Sequence, residues 1–128
     1  MGRNHDLGVS KAKGQLEAII NDICLTNFII GNRRPDLGCG KNPTVITEVK
    51  TLKDLKTKRS QEQLCDIKEL TEKKDQPATI YLNERNCYLP LNREGEKFIQ
   101  RSNLLQCGRD GTLASLDDYV SCPVQAQE

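Results

Sequence analysis

The sequence has no tryptophan, and its only aromatic rings are those of two phenylalanines, three tyrosines and one histidine. An interior must therefore be filled by Leu, Ile and Val rather than by large aromatic side chains. Charge of one sign is also lacking. Lys and Arg number 19 against 18 Asp and Glu, a net charge of +1, so no global field recruits nucleic acid or an anionic membrane. No apolar run approaches the ~20 residues of a membrane span. Repeats, low-complexity tracts and a second domain are missing as well. The single histidine, His5, excludes any mechanism built on two imidazoles, and a solvated terminal histidine reads as inert. Asp117-Asp118 are adjacent, so on a strand they point to opposite faces and make no paired-carboxylate site. Gly108-Arg109-Asp110-Gly111 lacks the G-K-[ST] ending of a phosphate loop and reads as a hairpin turn. Asn42-Pro43-Thr44 is no glycosylation sequon because proline occupies its middle position. The opening Met1-Gly2-Arg3 has no apolar h-region, and the chain reads as a mature domain with its leader already removed.

Six cysteines stand out against these absences: Cys24, Cys39, Cys65, Cys87, Cys107 and Cys122. None forms the close pair, such as C-x-x-C, that places two ligands on one zinc ion. An even number of well-spaced cysteines in a chain of 128 residues reads as a framework of three disulfides, with reduced, buried thiols as the alternative. Disulfides persist in oxidising compartments, so the expected location is secreted or extracellular. A thin aliphatic core in a charged chain has reason to need such cross-links.

Hydrophobic spacing orders the rest. Residues 1–9 read as a polar, flexible tail preceding one domain over residues 10–128. Ser10 as N-cap, followed by Leu16, Ile19, Ile20 and Ile23, predicts a helix over about 11–30, with Cys24 on it or on a second helix after a break near Asn21-Asp22. Gly31-Asn32 and Pro35 end it. Residues 31–43 form a Gly/Pro-rich loop carrying Cys39. The β-branched run Thr44–Val49 reads as a strand. Thr51 with Asp54 resembles a capping signal that opens a helix reaching about Cys65, and Lys73–Pro77 is a charged break. Short strands are predicted at 78–82, 87–89, 97–100 and 119–122, with turns at Gly95 and Gly108–Gly111. Helices first and strands later make an α+β fold, with N-terminal helices followed by an antiparallel β-sheet stabilised by disulfides.

Candidate binding residues are the cations Arg33, Arg34, Lys41, Lys53, Lys56, Arg59 and Arg109. Gathered on one face they would hold an RNA or a sulfated glycan by Coulomb attraction and counterion release. Lys53 and Lys56 share a helical face, but Lys58 points elsewhere and Asp54 and Glu62 dilute the field, so a solvated face is the simpler reading. Phe28-Ile29-Ile30 reads as core packing, and Tyr81, Tyr88 and Tyr119 suit half-buried sheet positions. Loop 31–43 and turn 108–111 are the expected contact surfaces, since loops on a rigid scaffold carry function.

The cysteine order resembles that of the vertebrate secreted ribonucleases of the pancreatic ribonuclease and angiogenin type. Ile23-Cys24-Leu25-Thr26-Asn27-Phe28-Ile29-Ile30 is similar to the helix after that family's first cysteine. Cys39-Gly40-Lys41-Asn42-Pro43-Thr44-Val45-Ile46 resembles its C-K-x-x-N-T-F-[IV]-H signature. The resemblance implies bridges Cys24–Cys87, Cys39–Cys107 and Cys65–Cys122. It does not carry the catalytic groups: Thr47 and Gln125 stand where the histidines belong, Gly40 displaces the lysine, and His5 lies too far upstream of Cys24. The resulting expectation is a secreted, non-catalytic binding protein (a receptor ligand, inhibitor, effector or defence factor) with a protein partner and no cofactor or metal. The alternative is a divergent ribonuclease-like protein that binds RNA or another polyanion.

Overall fold

The computed structural model describes residues 3–100, 106–107, 113–114 and 119. Helix α1 (Arg3–Ile20) precedes three strands, β1 (Cys24–Leu25), β2 (Leu37–Cys39) and β3 (Val45–Lys50). Two helices follow, α2 (Leu52–Leu55) and α3 (Lys58–Glu72), and then β4 (Ala78–Leu82), β5 (Cys87–Pro90) and α4 (Arg93–Ile99). The last described elements are β6 (Gln106–Cys107) and β7 (Leu113–Ala114), an antiparallel pair flanking the expected turn, which lies outside the described residues.

The fold is α+β, and its five-stranded sheet runs in the order β1-β2-β3-β4-β5. Every neighbouring pair is antiparallel except β3 and β4, which are parallel with Thr47 opposite Thr79. A parallel pair needs a crossover of a dozen or so residues. The segment α2–α3 supplies it, which a reading of helices first and strands later does not anticipate. All five residues of β4 are buried, as are Val45 to Val49 of β3. Central strands covered on both faces carry such continuous burial.

Strand alternation divides the core between those two faces. On one, Val45, Val49 and Tyr81 meet Ala12 and Leu16 of α1, with Leu37 and the Cys24–Cys39 bridge. On the other, Ile46, Ala78, Ile80 and Leu82 meet Leu55 of α2 and Leu64 and Ile67 of α3, together with Leu89 and Leu91. Tyr119 belongs to this second cluster and donates its hydroxyl to the Pro90 carbonyl at 2.8 Å.

The helix boundaries depart from the expected ones for local reasons. Residues 3–9 belong to α1 rather than to a tail, and Gly8 is buried against Val49 and Asn83. The helix stops at Ile20 because Asn21 takes the left-handed conformation (φ 60°), open to Asn at little cost. Residues 21–30 are therefore not helical, and Cys24 lies on a strand. The expected capping signal forms in full, Asp54 N–H donating to Thr51 Oγ1 at 3.1 Å and Thr51 N–H to Asp54 Oδ2 at 3.0 Å. Thr57 then caps α3, which runs past Cys65 to Glu72. The expected strand 97–100 is instead the end of α4, opened by the cap Asn92, and Gly95 is inside that helix rather than at a turn. Tyr119 is helical where a strand was expected, and residues 120–122 lie outside the described residues.

Two disulfides are defined, Cys24–Cys39 and Cys65–Cys107, and Cys87 is bridged as well. None of the three pairings implied by the ribonuclease resemblance is formed. Cys24 and Cys39 stand directly opposite each other on adjacent antiparallel strands, Cα atoms 4.0 Å apart, so they find each other locally. Cys65–Cys107 fastens β6 to α3 across 42 residues of chain.

Candidate functional site

Among the described residues, Leu7, Ile19, Ile23, Leu25 and Ile29 are the large aliphatic side chains left exposed, and four of the five fall within residues 19–29. Within this segment, β1 is an edge strand of the sheet among the described residues. Ile23 and Leu25, two apart on an extended chain, point to the same side, while Cys24 between them turns inward to its bridge. Ile19 and Ile29 are each 66% exposed. The segment is held from several directions. Gly40 N–H donates to the Ile23 carbonyl at 3.0 Å, Phe28 packs against Gly38, and Ile30 is buried in a tight turn closed by two hydrogen bonds with Arg33. The aliphatic side chains are thus displayed on a backbone already fixed.

The edge itself is closed to strand addition. Cys24 N–H points away from β2 and donates to Glu17 Oε2 at 2.8 Å. That hydrogen bond, with Lys13 beside it, holds the Glu17 carboxyl below the usual carboxylate range. An edge strand two residues long with a capped N–H offers little backbone to a partner strand. What this edge presents outward is its side chains.

The structure separates the expected binding cations. Arg33 is half-buried and pairs with Asp66 of α3 through Nη2, which makes it a brace for the 24–39 loop. Lys41 is exposed before β3, whereas Lys53, Lys56 and Arg59 are exposed after it, so about 20 Å of strand lies between them. Lys53, Lys56 and Arg59 remain near one another on α2 and the start of α3. Arg109 lies outside the described residues. Of loop 31–43, Pro35, Leu37, Gly38 and Cys39 are buried, and only its two ends face solvent.

Arg34 lines a depression of about 490 Å³ with His5, Asp6, Ser10, Thr26 and Asp36. Here His5 has a partner, its Nε2 lying 3.2 Å from Asp36 Oδ1. The other Asp36 oxygen accepts from Val49 N–H at 2.8 Å. Behind Asp36 sits Glu48, 1% exposed, with Oε2 unpaired among the described residues. Burial, and then the neighbouring Asp36 carboxylate, push the Glu48 carboxyl well above its usual range. A histidine and two carboxyls from three elements thus meet at the end of β3. The sequence carries one sign of this cluster, a lone acid within the β-branched run Val45–Val49. Nothing local announces that Asp36 and His5 join it.

No protein-family model, curated protein or solved structure matches the chain.

Proposed function

We propose that this protein is a secreted, non-catalytic binding protein that engages a protein partner through Ile19, Ile23, Leu25 and Ile29. The observation that carries this reading is their exposure on a segment anchored by the Cys24–Cys39 bridge. Removing an isoleucine or leucine from water is worth about 1.5–3 kcal/mol, and a surface fixed in advance loses little freedom on binding. The disulfides support an oxidising, extracellular setting. Among the described residues no helix is long and apolar enough to cross a membrane. The contact surface moves from the expected loop 31–43 to the neighbouring residues 19–29, because the middle of that loop is occupied in packing.

A second reading is favoured by one observation. Lys53, Lys56 and Arg59 are exposed, and among the described residues none is held in an ion pair. They suit an RNA or a sulfated glycan.

One experiment separates the two. The labelled protein is titrated onto intact cells of its source organism, alongside an Ile23→Ser/Ile29→Ser variant and a Lys53→Glu/Lys56→Glu/Arg59→Glu variant. The first reading expects the apolar variant to lose at least tenfold in affinity and the charge variant to keep it. Loss confined to the charge variant, deepening with added salt, establishes the second reading instead.

A further inference from the structure

We infer that Glu48, Asp36 and His5 form a pH-sensitive clamp that fastens the start of α1 and residues 34–36 to the end of β3, and lets them go as the Glu48 carboxyl ionises. The geometry is that of a chain of contacts. Glu48 is enclosed on β3 and bears on Asp36, whose two oxygens are committed to His5 Nε2 at 3.2 Å and to Val49 N–H at 2.8 Å. Asp36 thus links β3, the loop and α1 through hydrogen bonds at this corner, beside the packing of Gly8 on Val49. A proton on Glu48 is what makes the pair tolerable. Without it, two carboxylates face each other where Glu48 has no water to screen it, and Asp36 can relieve the repulsion only by swinging toward solvent. That movement breaks both of its hydrogen bonds at once.

The other charged groups nearby do not replace the proton. Lys50 attracts Glu48 from two residues along the same face, but its Nζ is engaged by Gln63 Oε1 at 2.9 Å and Ser60 Oγ at 3.5 Å on α3. From α1, His5 and Asp6 line the depression, and the loop contributes Arg34, all on the solvent side of Asp36. Glu84, beyond β4, accepts from Leu52 N–H at 2.7 Å.

The sign follows from linkage. An acid that binds its proton more tightly in the closed form than in the open one favours closure fully below its ordinary value of 4.5. From there the closed form loses ground about tenfold per pH unit until the closed-form value is passed, above which the loss is constant. The clamp is therefore tight in acid and loose in alkali.

The test is NMR-detected amide exchange on the intact, oxidised protein between pH 4.5 and 8.5, corrected for the intrinsic pH dependence of exchange. Val49, whose N–H is held by Asp36, and residues 7–10 of α1 are the reporters, with Tyr81 and Leu89 as controls. In the wild type, opening at the reporters rises with pH by a factor of ten or more while the controls stay flat. In Glu48→Gln the reporters are flat as well. Reporters in the wild type that ignore pH, or a slope that survives in Glu48→Gln, overturn the proposal. Should that variant fail to fold, the ¹³C carboxyl titration of Glu48 in the wild type decides. A side chain still protonated at pH 6 upholds the clamp, and ionisation in the ordinary carboxylate range removes it.

Discussion

Asn92 is the side chain on which most converges. It is 1% exposed, and both ends of its amide are used. Oδ1 accepts from Ala78 N–H at 3.1 Å and Gly95 N–H at 2.8 Å, while Nδ2 donates to Thr71 Oγ1 and the Gln76 carbonyl, each at 2.8 Å. One residue thereby ties the end of α3 to the first residue of β4 and to the start of α4. Asn92→Ala is expected to cost about 3 kcal/mol or more in urea unfolding, because buried polar groups lose their partners. Asn92→Asp sharpens the test. Aspartate is an equally good N-cap, but it has no hydrogen to give Thr71 or Gln76, so its stability at pH 7 must also fall by more than about 1 kcal/mol. An Asp variant as stable as the wild type would reduce Asn92 to a helix cap. Gly95 lies beside it, where an added Cβ would come 2.2 Å from the Ala78 carbonyl oxygen. That atom belongs to backbone and cannot step aside, so Gly95→Ala is expected to lose about 2–3 kcal/mol in the same measurement.

At the scale of elements, the two disulfides have different tasks. Cys24–Cys39 closes 15 residues, and Cys65–Cys107 closes 42. Loop-closure entropy assigns them about 3 and about 4 kcal/mol respectively. Paired serine substitutions at either bridge should therefore lower the urea midpoint by similar amounts, but only loss of Cys24–Cys39 should raise amide exchange at Ile23–Leu25. Equal exchange in both variants would mean that Phe28 and Ile30 hold the edge without the bridge. Much of this level was legible in the sequence. The run Val45–Val49 and the Thr51/Asp54 pair announce a strand and a helix start through local chemistry alone, and both form. The end of α1 was legible only as an alternative, the break near Asn21-Asp22, because Ile23 continues the helical spacing of Leu16, Ile19 and Ile20 past the left-handed turn at Asn21. The same holds for Lys97–Gln100. Its short apolar stretch suits a strand, and the deciding facts, the Asn92 cap and the contact of Gly95 with β4, are tertiary.

The molecule as a whole joins a small aliphatic core to covalent staples and to an apolar edge displayed beside one of them. The cations were visible in the sequence, as was the strand that separates Lys41 from Lys53, Lys56 and Arg59, but the pairing of Arg33 with Asp66 was not. The apolar edge was hidden inside a predicted helix, where Ile23 and Leu25 do not share a face. Everything proposed about location and binding depends on the cysteines being oxidised in the native protein, and on Cys24 closing locally rather than across the sheet. Peptide mapping by mass spectrometry, without reduction, on protein from its native source tests this most directly. Peptides joined through Cys24–Cys39 and through Cys65–Cys107 are the expected result. Free thiols at these four positions, or a peptide joining Cys24 to Cys87, would contradict it.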